Sequence, residues 1–246
     1  MKNIMSIDGM ITVRSKSTRL PKKCFLPFGE GNVIEHVIRR ARFFGFDPVV
    51  CTTVEKEDDK IVEISKKENV RYFRGSVKDK LKRWYDACEE FGIKKFVSVD
   101  ADDLFFDGEL AQLSFETLGE NSDFVAHPAK LPYEGCVGYS LTAEILKRAY
   151  DIKTSDDTEM IWFFLEKVHG LKKVILPVKL DEEAGPIRLT LDYHEDYWML
   201  CTVLRILGPR AQRKDIEGLF KSNTDLHKIN WFRNSEYKSL QEEKRI

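Results

Sequence analysis

Two kinds of side chain crowd into short stretches of this chain, and both suit phosphate chemistry. After the apolar start Met10-Ile11-Thr12-Val13 come Arg14, Lys16, Arg19, Lys22 and Lys23, interleaved with Ser15, Ser17 and Thr18 and interrupted by Pro21. The β-branched start reads as a buried strand. In an open α/β sheet, the loop leaving a strand's carboxyl end is where ligands bind. Arg14, Arg19 and Lys23 there suit the oxygens of a polyphosphate, with Ser15 and Ser17 as hydrogen-bond donors. A solvated basic loop is the other reading, and the residues alone leave both open. So basic a loop repels itself, so removing one of its cations is expected to leave folding nearly unchanged.

The acids come in two places. Asp100, Asp102 and Asp103 follow the apolar run Lys95-Phe96-Val97-Ser98-Val99. Carboxylates at a strand end suit Mg²⁺, which takes one or two of them together with phosphate oxygens and water. An Asp-rich turn or helix cap uses the same residues. Asp192 closes Arg188-Leu189-Thr190-Leu191. Alone it reads as a turn or cap residue, although a second distant carboxylate is what a metal site on Asp102 would want. Arg74-Gly75-Ser76 lies between a short strand and an amphipathic helix. It is either a set of donors for a base edge or a tight turn with glycine at positive φ.

Other chemistries lack their residues. No G-x-x-x-x-G-K-[ST] occurs, and Gly29-Glu30-Gly31 lacks the third glycine of a dinucleotide fingerprint. Five cysteines without a C-x-x-C, and scattered single histidines, argue against zinc and against a disulfide framework. A net charge of −1 gives no general nucleic-acid surface, so any basic site must be local. No apolar run reaches the length of a membrane span, and the start is too short and polar for a signal peptide; the widely spaced cysteines favour buried thiols in a reducing cytoplasm.

The elements that must hold these residues alternate. Helical spacing of Val33, Ile34, Val37, Ile38 and Ala41 is followed by a strand at 48–53, a helix at 57–68 and a strand at 70–73. A helix on Leu81, Trp84, Tyr85 and Cys88 leads to the strand at 95–99. Strand–helix alternation with short connections predicts a mostly parallel α/β sheet with right-handed crossovers. Beyond it, helices are expected at 107–118, 141–150, 158–168, 197–207 and 214–220. Strands are expected at 123–126, 173–176 and 188–191, loop or edge strands at 127–138, and a frayed tail from Lys238. The 246 residues are read as a single domain, 1–246.

Taken together, the residues resemble the cytidylyltransferases that activate acidic sugars, in particular the group named for spore-coat polysaccharide synthesis. KDO and N-acylneuraminate cytidylyltransferases are its relatives. The segment Val13-Arg14-Ser15-Lys16-Ser17-Thr18-Arg19-Leu20-Pro21-Lys22-Lys23 is similar to the family's A-R-x-x-S-x-R-L-P-x-K. Arg74-Gly75-Ser76 with Asp79, Leu81 and Arg83 resembles R-G-S-x-x-D-x-L-x-R. Val99 to Asp103 stands at the family's strand ending in G-D. Arg188 to Asp196 resembles R-L-T-V-D-T-P-E-D, and Lys228-Ile229-Asn230 the closing segment. Three departures stand out. Lys22 replaces a usual glycine, Asp100 and Ala101 replace a hydrogen-bonding residue and glycine, and Asp156 to Met160 occupies the place of a Glu-His pair.

The resemblance implies a Rossmann-like nucleotidyltransferase sheet of GT-A type, flanked by helices, with an acceptor-side and dimerisation region at about 127–170. It implies transfer of CMP from CTP to an acidic sugar or related acid, with release of pyrophosphate and with Mg²⁺ on Asp102 and Asp192. Arg14, Arg19, Lys23, Asp102 and Asp192 would be catalytic. Arg14, Ser15, Ser17, Arg19, Lys23, Arg74, Ser76, Asp79 and Arg83 would hold the nucleotide. A cytoplasmic homodimer is expected. Asp100-x-Asp102 also fits the D-x-D metal motif of nucleotide-sugar glycosyltransferases, and a non-catalytic nucleotide-binding relative is a third possibility.

Overall fold

The structure is a computed structural model, and it describes residues 7–119, 121–128, 133–135, 138–178 and 182–243. Seven strands form one sheet: β1 (Ile7–Thr12), β2 (Phe46–Thr53), β3 (Arg71–Gly75), β4 (Lys95–Asp100), β5 (Phe124–Ala126), β6 (Ser140–Thr142) and β7 (Lys173–Ile175). Their order is β7-β5-β6-β4-β1-β2-β3. All neighbouring pairs are parallel except those of β6, which runs antiparallel to β4 and β5. The sheet is thus the mostly parallel α/β sheet that the alternation predicts.

Period-two alternation of β1 and β2 splits the core into two layers. Ile11 and Val50 face one side, while Met10, Val49 and Cys51 face the other. The first side is covered by α1 (Val33–Phe43), α2 (Asp59–Lys67), α4 (Gly108–Thr117), α7 (His194–Leu207) and α8 (Arg213–Ser222). The second is covered by α3 (Lys80–Phe91), α5 (Ala143–Ile152) and the short α6 (Ile161–Leu165). Local chemistry sets the helix ends. Asn32 and Glu35 form a capping box on α1, Asp79 caps α3, and Gly92 ends α3 at φ 67°.

Several boundaries differ from the sequence expectation. β1 starts at Ile7, because Ile7 and Asp8 pair with Phe46 and Asp47 of β2 despite being only half-buried. The expected strand at 188–191 is reduced to Ile187–Arg188, which pairs with Tyr133–Glu134. The expected helix at 158–168 is only α6. The polar tail, expected to fray from Lys238, is helical as α9 (Arg233–Glu242). Its anchor is the ring of Tyr237, which packs on the guanidinium of Arg188 at 4.8 Å. Residues 129–132 and 136–137 of the expected acceptor region lie outside the described residues, as does Cys136.

Candidate active site

The carboxyl ends of β1 and β4 open into a cleft of about 800 Å³. The loop after β1 forms one wall and is anchored from below. Asp58, fully buried, accepts from the Ser15 backbone N–H at 2.8 Å and from the hydroxyls of Thr52 and Thr53 at 3.1 and 2.5 Å. Ser15 is therefore turned into the protein, while Arg14, Ser17, Arg19 and Lys23 line the cleft. Lys22, where the resembled motif has glycine, sits at φ 57° and ψ 28°. That left-handed conformation is what lets the chain turn so that Lys23 points inward.

Asp192 reaches this wall through a backbone device. Thr190 bridges Asp103 in antiparallel fashion, and the Leu191 N–H donates to the Asp102 carbonyl at 2.8 Å. Asp196 then accepts from the Asp192 and Tyr193 N–H groups at 2.9 and 3.0 Å, fixing the turn into α7. Arg188, wholly buried, donates to both Asp196 oxygens at 2.9 and 3.1 Å and reaches Asp192 Oδ2 at 3.4 Å. Asn230 donates to Asp196 Oδ1 and to the Arg188 carbonyl, both at 3.0 Å.

Thus Asp102 and Asp192 meet at one point, the ammonium of Lys23. Its Nζ donates to Asp102 Oδ2 at 2.7 Å, Asp192 Oδ1 at 3.0 Å and the Leu191 carbonyl at 2.7 Å. Arg19 donates to the same Asp192 oxygen at 2.5 Å and lies against the rings of Tyr193 and Tyr237. Arg14 pairs with Glu159 at 3.4 Å across the cleft, and Lys16 turns outward to Glu55. The expectation of a self-repelling loop is therefore reversed: its inward cations are counterions of a buried acid. Burial works to raise the Asp192 carboxyl pKa, but Lys23 and Arg19 outweigh it and hold the value at about 2. Burial, then the charges of Asp102 and Asp100, push Asp103 well above the usual carboxylate range.

The remaining nucleotide residues expected from the resemblance fall in two groups. Arg83 is buried yet lines the cleft, and it donates to the Ser76 carbonyl at 2.7 Å. Arg74 is committed elsewhere: it donates to the Thr53 and Glu55 carbonyls at 3.0 and 2.8 Å and pairs with Asp59. Ser76 accepts from the Asp79 N–H, and Asp79 is the buried cap of α3, also accepting from Thr158 and Lys153. None of these three lines the cleft.

The structure adds Lys80 and Tyr237 to the cleft lining, and from the expected acceptor region at 127–170 it brings His127, Tyr139 and Trp162 together there. Lys80 is buried, donates to Asp100 Oδ1 at 3.2 Å and lies over the Trp84 ring. A signal existed, because Lys80 stands four residues before Trp84 on the buried stripe of α3. His127 Nε2 and the Tyr139 hydroxyl are 2.9 Å apart, and Tyr139 stacks on Trp162 at 5.8 Å. These side chains converge only through the β5 and β6 ends, so nothing local announces them.

Residues 9–164 match the family model described as cytidylyltransferase. The chain belongs to the cytidylyltransferase family. An uncharacterised protein of Methanocaldococcus jannaschii is 31% identical to it over 78% of this chain and 81% of its own length. The spore coat polysaccharide biosynthesis protein SpsF of Bacillus subtilis is 27% identical over 88% of this chain and 94% of its own. A solved cytidylyltransferase of Leptospira borgpetersenii superposes with a TM-score of 0.81 at 28% identity, covering 90% of this chain and 96% of that one. The chain is therefore a CTP-using nucleotidyltransferase in its family. Among the described residues, no helix is long and apolar enough to cross a membrane.

Proposed function

We propose that this cytidylyltransferase transfers CMP from CTP to a hydroxyl of an acidic sugar or related acid, with Mg²⁺ held by Asp102 and Asp192. The observation that carries the proposal is the meeting of those two carboxylates on one cation at the mouth of the basic loop. The donor set fits the metal: carboxylate and carbonyl oxygens are hard ligands of the kind Mg²⁺ takes, and an ammonium already stands among them. When bound, the ion would supply charge to the reacting phosphoryl group.

The chain's own part is binding and orientation. Attack forms a bond from the acceptor oxygen to the α-phosphorus, breaks the bond from phosphorus to the pyrophosphate oxygen and releases the acceptor's hydroxyl proton to solvent. Such a transfer needs reactants held in line and negative charge met by fixed cations. Arg14, Arg19 and Lys23, which line the cleft, would hold the triphosphate and the departing pyrophosphate, together with the buried Arg83 of α3. On the far side, the stacked Tyr139 and Trp162 offer a flat face for a sugar ring. Lys80, a buried cation with three N–H donors and one hydrogen-bond acceptor among the described residues, suits an acidic acceptor.

Pyrophosphate release with CTP and a panel of acidic acceptors tests the reaction, and calorimetry tests the nucleotide. CTP is expected to bind at least tenfold more tightly than ATP or GTP, a difference of about 1.4 kcal/mol. Equal affinity for all four triphosphates would defeat the proposal.

A further inference from the structure

The three oxygens around Lys23 Nζ lie at 2.7, 2.7 and 3.0 Å, and they account for all three donors of an ammonium. Two carboxylates and a backbone carbonyl about one positive charge make up an oxygen-ligand cation site, and the cation in it belongs to the chain. The site is enclosed on one side and open to the cleft on the other: the Asp192 side chain is 3% exposed and that of Lys23 16%, while that of Asp102 is 30% exposed. Lys23 follows the left-handed Lys22 and reaches the acids on a flexible four-carbon stem.

A lysine so engaged has no donor left for a phosphate. If Lys23 turns to a triphosphate, Asp102 and Asp192 lose a counterion that they share. Asp192 would keep Arg19 and Arg188, but Asp102 would be left with no cation among the described residues, an ion pair broken on one side. The loss is avoided when another cation arrives as the lysine leaves. Arg19 cannot supply it to both acids, because its described hydrogen bond runs to Asp192 alone.

We propose that Lys23 and the divalent metal are alternative occupants of the oxygens of Asp102 and Asp192. Lys23 is the internal counterion that keeps the metal out, and the triphosphate draws it off, so that metal and nucleotide load together. The inference rests on the assignment of Asp102 and Asp192 as the metal carboxylates. It deepens that assignment by giving Lys23 two successive partners, carboxylate and phosphate.

The test uses the full chain and Mn²⁺ as probe, with free Mn²⁺ followed by electron paramagnetic resonance. Without nucleotide, Lys23→Met is expected to bind Mn²⁺ at least tenfold more tightly than wild type, while Lys23→Arg, which keeps the charge, shows no such gain. Lys23→Met binding Mn²⁺ alone no more tightly than wild type overturns the exchange. A measurement on wild type needs no variant to fold: saturating Mn²⁺ without nucleotide should raise acylation of Lys23, read by mass spectrometry. Unchanged labelling at saturation also overturns it. Asp192→Asn separates the two assignments. If Mn²⁺ binds neither wild type nor Lys23→Met even with CTP, or if Asp192→Asn leaves binding untouched, the metal assignment itself falls. If binding needs Asp192 but ignores Lys23, only the exchange falls.

Discussion

Arg19→Ala separates a ligand-holding loop from a merely structural one, and the structure sets its size. Arg19 is 31% exposed, but its partner Asp192 is 3% exposed, so the pair is screened on one side only. A hydrogen bond to a charged group is worth about 1.5–3 kcal/mol, and partial exposure brings this to roughly 1–2 kcal/mol here. For a chain of this length each kcal/mol moves Tm by roughly 2–4 °C. The ligand-free variant should therefore melt roughly 2–8 °C lower than wild type, contrary to what a self-repelling loop would do. Arg19 should also contribute to CTP binding. At a CTP concentration of about 100 Kd, wild type gains about 2.7 kcal/mol. If the variant loses about 2 kcal/mol of affinity, that gain falls to roughly 0.9 kcal/mol at the same concentration. The assay is differential scanning fluorimetry of both proteins with and without CTP and Mg²⁺, with Arg19→Lys as a charge-retaining control. A CTP-induced rise in Arg19→Ala as large as in wild type would refute the placement of the triphosphate on this wall.

Two further outcomes follow from local geometry. His36 is buried and bonded to the Leu104 carbonyl; burial, then the nearby Arg40 and Arg39, push its pKa down to about 4. Because the folded value lies below the unfolded one, its contribution is present at neutral pH and is lost as pH falls from about 6.5 towards 4, amounting to roughly 2 kcal/mol between pH 7 and pH 5. Urea titrations of wild type and His36→Gln should show a shallower pH slope in the variant across that window, and parallel slopes would contradict the assignment. Lys22→Gly should leave stability unchanged or raise it by up to about 1 kcal/mol, because relief of the left-handed backbone offsets the added freedom of glycine in the unfolded chain; a clear fall in Tm would show that the Lys22 side chain contributes more than its backbone costs.

What the sequence determined by itself is local. Short continuous apolar runs and stripes of helical period set β1, α1, α3 and β4, because each is written in consecutive residues and needs only a sheet to bury it. The crowding of cations after β1, and of acids after β4, is legible for the same reason. Tertiary structure decided which charges meet. Lys23 and Asp192 are 169 positions apart, and only the bridge of Thr190 to Asp103 brings the second acid to the first. The same folding satisfied Arg74 with the carbonyls of Thr53 and Glu55, which no motif predicts, since backbone oxygens carry no sequence signature. It also made a helix of the polar tail, because Tyr237 gains the face of a buried arginine that belongs to a distant strand. Spacing along the chain predicts what each stretch offers, and the long-range packing of the sheet decides which partner each buried charge must have.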